Sequence, residues 1–207
     1  MKNVVRRMLL LTSLLAAATT SSQLLDPSRQ PSRLVPYTRC SFTGGLVPVS
    51  VDRAPNLPMA RPVETASGTK RVSVADGYRV MLAFANTDPF VNLKIEVSVA
   101  GLYANDKQAV LEQMQAFAAS AKGASMSVER STLNGVEVAA LNNPTIDSSV
   151  ISFYSLFDDT ETVISTAYIL NQLPEKRAFR DMTSYKSLRD AFIQDYTQCM
   201  GKNRHKE

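Results

Sequence analysis

The chain of 207 residues has no tryptophan, one histidine and two cysteines. Each scarcity removes a class of chemistry. The lone histidine, His205, sits in the charged tail 202–207, so neither a Ser-His-Asp nor a Cys-His mechanism has a placed general base. Zinc lacks its usual paired donors. Without tryptophan to stack on sugars, a paired-carboxylate glycosidase site lacks a cleft wall. Gly44-Gly45 and Gly123-Ala124-Ser125 have neither the spacing nor the following Lys-Ser/Thr of a phosphate loop. No catalytic, cofactor-binding or metal-binding residue is assigned, and the sequence is expected to encode a protein that is not an enzyme.

Long apolar runs are also missing. The one short run, Met8 to Ala18, spans 11 residues behind Lys2, Arg6 and Arg7 and is followed by small polar residues. This is the order of a secretory signal peptide, residues 1–18, with cleavage between about 18 and 22. A spanning helix needs roughly 20 apolar residues, so no stable membrane anchor is expected after cleavage. No cysteine follows the run, which excludes lipid attachment there, and the surroundings of Arg6-Arg7 do not follow the twin-arginine pattern. The expected location is periplasmic or secreted.

Removing the leader changes the charge. The formal +4 counts 23 basic and 19 acidic residues, and three basic ones lie in the leader. The remaining 20 against 19 give a near-neutral body with no electrostatic footprint for nucleic acid. In an oxidising compartment an even cysteine count favours one disulfide, Cys40 to Cys199. The competing reading is a free reactive thiol, although no histidine flanks either cysteine.

Seven of the ten prolines fall between Pro27 and Pro62. Residues 19–70 therefore read as a Pro-rich extended lead-in, with one short edge strand around Leu46 to Val51. From Arg71 the pattern becomes regular and predicts a single α+β domain over 71–201. Val72 and Val74, then Tyr78, Val80 and Leu82, alternate around Asp76-Gly77, a hairpin signal. A third strand runs from Val91 to Val99. Helical period follows over Asn105 to Lys122, with Val110, Met114, Phe117 and Ala121 on one stripe, a cap at Asn105 and a stop at Gly123. Two more hairpins turn at Asn134-Gly135 and at Asp158 to Glu161. A helical turn near Pro174 and a helix from about Ser184 to Met200 close the domain. The fold class is α+β: a mainly antiparallel sheet packed by two principal helices.

This order of elements over residues 70–200, with Gly77-Tyr78-Arg79-Val80 at the start of a core strand, resembles the PsbP-like and DcrB-like families of small exported proteins. The resemblance implies an α/β/α sandwich and an accessory or binding role at a membrane-bounded compartment. It carries over no functional residue.

Asp158, Asp159 and Glu161 form the one acidic cluster. A solvated turn with Asp bonded to its own backbone, a partner-facing turn and a calcium site are the three readings. The tyrosines Tyr37, Tyr103, Tyr154, Tyr168, Tyr185 and Tyr196 read as packing with a polar tip, or as an aromatic groove. The segment Asn171 to Arg177 is a solvated connection or a partner-facing loop. The function that fits is an exported binding or accessory protein with a protein partner. The alternative is an inhibitor or immunity protein that neutralises an exported toxin or hydrolase, and the third reading is an enzyme using carboxylates or tyrosines alone.

Overall fold

The computed structural model describes residues 32–120, 126–146 and 148–204. The leader, the helix stop at Gly123, and His205 lie outside the described residues. Eight strands form one antiparallel sheet: β1 (Val47–Arg53), β2 (Met59–Thr65), β3 (Gly68–Ala83), β4 (Pro89–Ser98), β5 (Glu129–Leu133), β6 (Val136–Asn142), β7 (Val150–Asp158) and β8 (Val163–Leu170). Three helices accompany it: α1 (Val35–Thr38), α2 (Tyr103–Ser120) and α3 (Met182–Lys202). The mixed α+β class is as expected from the sequence.

The strand order is β1-β3-β4-β8-β7-β6-β5, with β2 paired to the first half of β3 and β1 to the second half. Residues 32–70 are thus not an extended lead-in. They supply α1, β1, β2 and the start of β3. Proline is tolerated here because β1 and β2 are edge strands, where only one side of the backbone is in a ladder; Pro48 and Pro62 sit within them.

Asp76-Gly77 is not a turn. β3 runs straight through it, with a bulge between Val74 and Asp76 in its pairing with β4. A bulge shifts the pleat by one residue. Accordingly Val72 and Val74 join the core cluster shared with α2, while Val80 and Leu82 join the cluster shared with α3. The other strands alternate between the same two clusters: Val136 and Val138 against Ala139 and Leu141 in β6, Tyr154 and Leu156 against Phe153 and Phe157 in β7. Strand geometry sends alternate side chains to opposite faces, so α2 covers one face and α3 the other.

The Asn134-Gly135 turn forms as expected, with φ of 52° and 77°, the left-handed pair of a two-residue hairpin. The predicted cap at Asn105 does not form: α2 already begins at Tyr103, after Gly101 takes φ of 80°. α3 begins at Met182, where Asp181 and Ser184 make a reciprocal capping box.

Candidate binding surfaces

The disulfide expected from the sequence is present: Cys40 and Cys199 are joined across 159 residues. It fastens the segment after α1 to the end of α3. Thr43 adds to the same junction, its backbone N–H and hydroxyl donating to Asp195 at 2.7 and 2.8 Å. Leu34, Tyr37 and Leu46 are buried in the α3-side core, so this segment seals that face.

The acidic turn joins β7 to β8 with Asp159 and Thr160 exposed and, as expected, with an Asp bonded to its own backbone, but Asp158 and Glu161 are buried. Asp158 is fully buried; it accepts from Arg204 at 3.0 and 3.1 Å and caps the turn through the N–H groups of Thr160 and Glu161. Glu161 is buried beside Arg33 at 3.7 Å, and Arg33 also donates to the Glu161 carbonyl and to Thr162 Oγ1. Asp159 is exposed, yet it accepts from Lys107 at 2.7 Å and from Tyr103 at 2.7 Å. Burial raises the Asp159 carboxyl and the two donors more than offset it, so it is held below the usual range. The three carboxylates therefore face three parts of the same chain: the N-terminal segment, α2 and the end of α3. The turn is an internal clasp whose tip, Asp159 and Thr160, is exposed. Thr162, a β-branched residue at φ of 54°, sits in the strained corner that Arg33 holds. Among the described residues no group of three or more His, Cys, Asp or Glu side chains converges as a metal site would require. The tail is docked as far as Arg204.

The tyrosines divide. Tyr185 donates to Ser152 at 2.6 Å, Tyr154 to Asn142 at 3.1 Å, and Tyr196 shares a bond with Ser165 at 2.9 Å. Burial pushes all three phenols up, and they are packing residues with satisfied tips. The buried Tyr37 hydroxyl has no bond among the described protein atoms; burial and the charges of Asp158 and Glu161 push it up to about 12. Arg177 is consumed within its own loop, bonding Asn171 and the Gln172 carbonyl.

Two further surfaces are open to a ligand or partner, in residues that the sequence placed in an edge strand, which forms as β1, and on a helical stripe, without assigning them to a site. The first surface is the outer edge of β1. Val47, Val49 and Val51 are 51%, 57% and 46% exposed, half of the exposed large hydrophobic residues among those described. No described strand pairs with that edge. A cleft of about 540 Å³ between α1 and β1, lined by Val35, Arg39, Pro48, Val51 and Tyr78, runs beside it. The opposite edge, β5, is guarded differently: its first four residues are polar, and Arg130 pairs with Glu137. Charged side chains of that kind are one usual protection of an edge strand, and β1 has them only at Asp52 and Arg53, next to a stretch that holds Ser50, Pro48 and a bulge between the two.

The second surface is a cleft of about 790 Å³ at the end of α2, with Phe117, Met126, Leu141, Val150 and Phe153 on its apolar walls. Phe117, placed on the buried stripe by its helical spacing, is 53% exposed and forms the lip. Its ring meets Phe153 edge-on at 6.3 Å, and Phe153 stacks on Tyr168 at 4.9 Å.

These surfaces define an antiparallel α+β domain with valines exposed at one sheet edge and an aromatic cleft on one face. Comparison with known proteins adds no name to that class: no family model, curated protein or solved structure matches the chain.

Proposed function

We propose that the protein is an exported, non-catalytic binding or accessory domain that captures an extended segment of a protein partner along β1. One observation carries the reading, an edge that no described strand pairs with and on which Val47, Val49 and Val51 are exposed. An added strand would take its main-chain hydrogen bonds from the free side of β1 and place alternate side chains over the valines and into the cleft beside α1. Export is supported by the leader-like N-terminus and by the Cys40–Cys199 bond, which belongs to oxidising compartments. The layering of α2 and α3 on opposite faces supports a PsbP-like or DcrB-like α/β/α sandwich, whose members have accessory roles; this is an analogy of fold.

The test places a photo-cross-linker at Val49, and at Ser131 on β5 as the control edge. One protein should cross-link from position 49 and not from 131, and Val49→Lys should weaken its binding at least tenfold, about 1.4 kcal/mol. A partner that binds Val49→Lys as well as the parent, or cross-links equally from both edges, overturns the reading.

A further inference from the structure

The α2-side face carries a second constellation, away from the β1 edge. Strand registers place Leu141, Phe153, Tyr168, Asn92 and Met81 in one row across β6, β7, β8, β4 and β3. In the next row Lys94 stands between Thr166 and Arg79. Leu141 and Phe153 of the first row line the apolar cleft under Phe117, and Tyr168, stacked on Phe153, continues the row beyond that lining. The second ends in charge. Glu96, almost fully buried, accepts two bonds from Arg61, at 2.9 and 2.7 Å. Lys94 Nζ lies 3.6 Å from the same carboxylate, beyond hydrogen-bond distance. One carboxylate thus serves two mostly buried cations, and Arg79, opposite Asp52 in the register, lies on the other side of Lys94. Burial holds the Lys94 ammonium down to about 8, with Arg61 and Arg79 pushing the same way and Glu96 opposing. The remaining group facing this site from β8, the Tyr168 phenol, is pushed up by burial and stays neutral.

From these contacts we infer that the cleft and the charged row form a binding site for a single-chain amphiphilic carboxylate, a long-chain fatty acid. Its alkyl chain would lie on Phe117, Phe153 and Tyr168, and its carboxylate would pair with Lys94. The spacing fits. Phe153 and Tyr168 are 4.9 Å apart, and Lys94 is one strand over and one row along, about 8 Å further. Two mostly buried cations that share one carboxylate gain from an incoming anion, because little water competes there. A cleft of about 790 Å³ falls within the range of sites for one small ligand.

Three probes separate chain from head: laurate, dodecyltrimethylammonium with the same chain and the opposite charge, and acetate as the head alone. Titrated into the purified protein, laurate should bind at least tenfold more tightly than dodecyltrimethylammonium, and acetate should not saturate. Lys94→Gln should abolish the preference for laurate. Phe117→Ser, a change at an exposed position, should weaken both amphiphiles alike. The laurate affinity of the parent protein should also fall as pH rises through about 8, which keeps the proposal testable even where Lys94→Gln fails to fold. The inference is overturned if laurate and dodecyltrimethylammonium bind alike, if Lys94→Gln binds laurate as the parent does, or if laurate binds more weakly than about 1 mM. Val49→Lys should leave laurate binding unchanged, so the two surfaces stand or fall separately.

Discussion

Removal of the Cys40–Cys199 bond, by changing both residues to Ala, should act mainly on the unfolded chain. In the native state the same two segments stay joined by other contacts: Leu34 and Tyr37 in the core, Thr43 on Asp195, Arg33 at Glu161. The native structure of the double variant should therefore persist. What changes is the freedom of the unfolded chain, which loses a cross-link between residues 159 apart. The loop-entropy argument assigns such a closure about 5 kcal/mol, an upper figure because native strain and residual unfolded structure subtract from it. For a chain of this size, that corresponds to a fall of about 10–20 °C in Tm. Urea unfolding should show the same loss in the midpoint, with a steeper m-value because the unlinked chain exposes more surface. Intact mass before and after reduction with thiol alkylation verifies the bond in the parent protein. If the double variant loses less than about 1 kcal/mol with an unchanged m-value, the bond is not restraining the unfolded chain and the reasoning fails.

Two further predictions test the clasp and the charged row. Asp158→Asn leaves Arg204 without the buried carboxylate it binds at 3.0 Å; a loss of about 2–3 kcal/mol in urea unfolding is expected, below the value for a fully buried pair because Arg204 is partly exposed. No loss would mean that the C-terminal dock contributes nothing. Lys94→Met should stabilise the protein near pH 7, since the folded-state pKa of Lys94 is lowered from 10.5 to about 8. The sign follows from proton counting: between pH 8 and 10.5 the unfolded chain holds the proton that the folded one has released, so parent stability rises with pH over that window. Below it the full penalty applies, about 3 kcal/mol, and above it the variant and the parent should converge. A variant less stable than the parent at pH 7 would refute the desolvation argument.

Local chemistry in the sequence accounts for much of the sheet and little of the binding surface. Asn134-Gly135 announces its hairpin because only a few residues accept two left-handed angles in a row, and the alternation from Val91 onward reproduces β4. Asp-Gly at 76–77 carries the same signal but ends as a bulge. Gly77 suits a tight turn and a kinked strand equally, and only the long-range pairing with β4 and β1 decides between them. The prolines of residues 32–70 suggest an extended lead-in, yet edge strands accept them. Phe117 fits the helical stripe perfectly by spacing. It is 53% exposed at the cleft, with its ring edge-on to Phe153 of β7, an environment set by tertiary packing that helical spacing does not encode. The partners of the acidic turn, Arg33 and Arg204, are 128 and 46 residues away from it in sequence, and Arg61 is 35 from Glu96. No window of local pattern contains such pairs.

The positions of the staple and clasp also bear on where binding occurs. Cys40–Cys199, Arg33 at Glu161 and Arg204 at Asp158 each tie a terminal segment to the body. Together they close the α3 face: Leu34, Tyr37 and Leu46 are buried beneath that strap, beside Phe192 and Tyr196. A ligand reaching that core would have to displace buried apolar contacts and part an ion pair. On the α2 face Tyr168 and Lys94 are partly exposed, and among the described residues no strand lies on the outer edge of β1. Terminal tethering and open surface are thus complementary. Cutting the disulfide should lower stability without affecting laurate binding at temperatures where the protein stays folded, because the tethers of the strap, at Cys199, Asp195, Glu161 and Asp158, are neither cleft-lining residues nor members of the charged row. A loss of laurate affinity in the folded double-cysteine variant would show that the two faces are coupled and that the α2-side site depends on the strap.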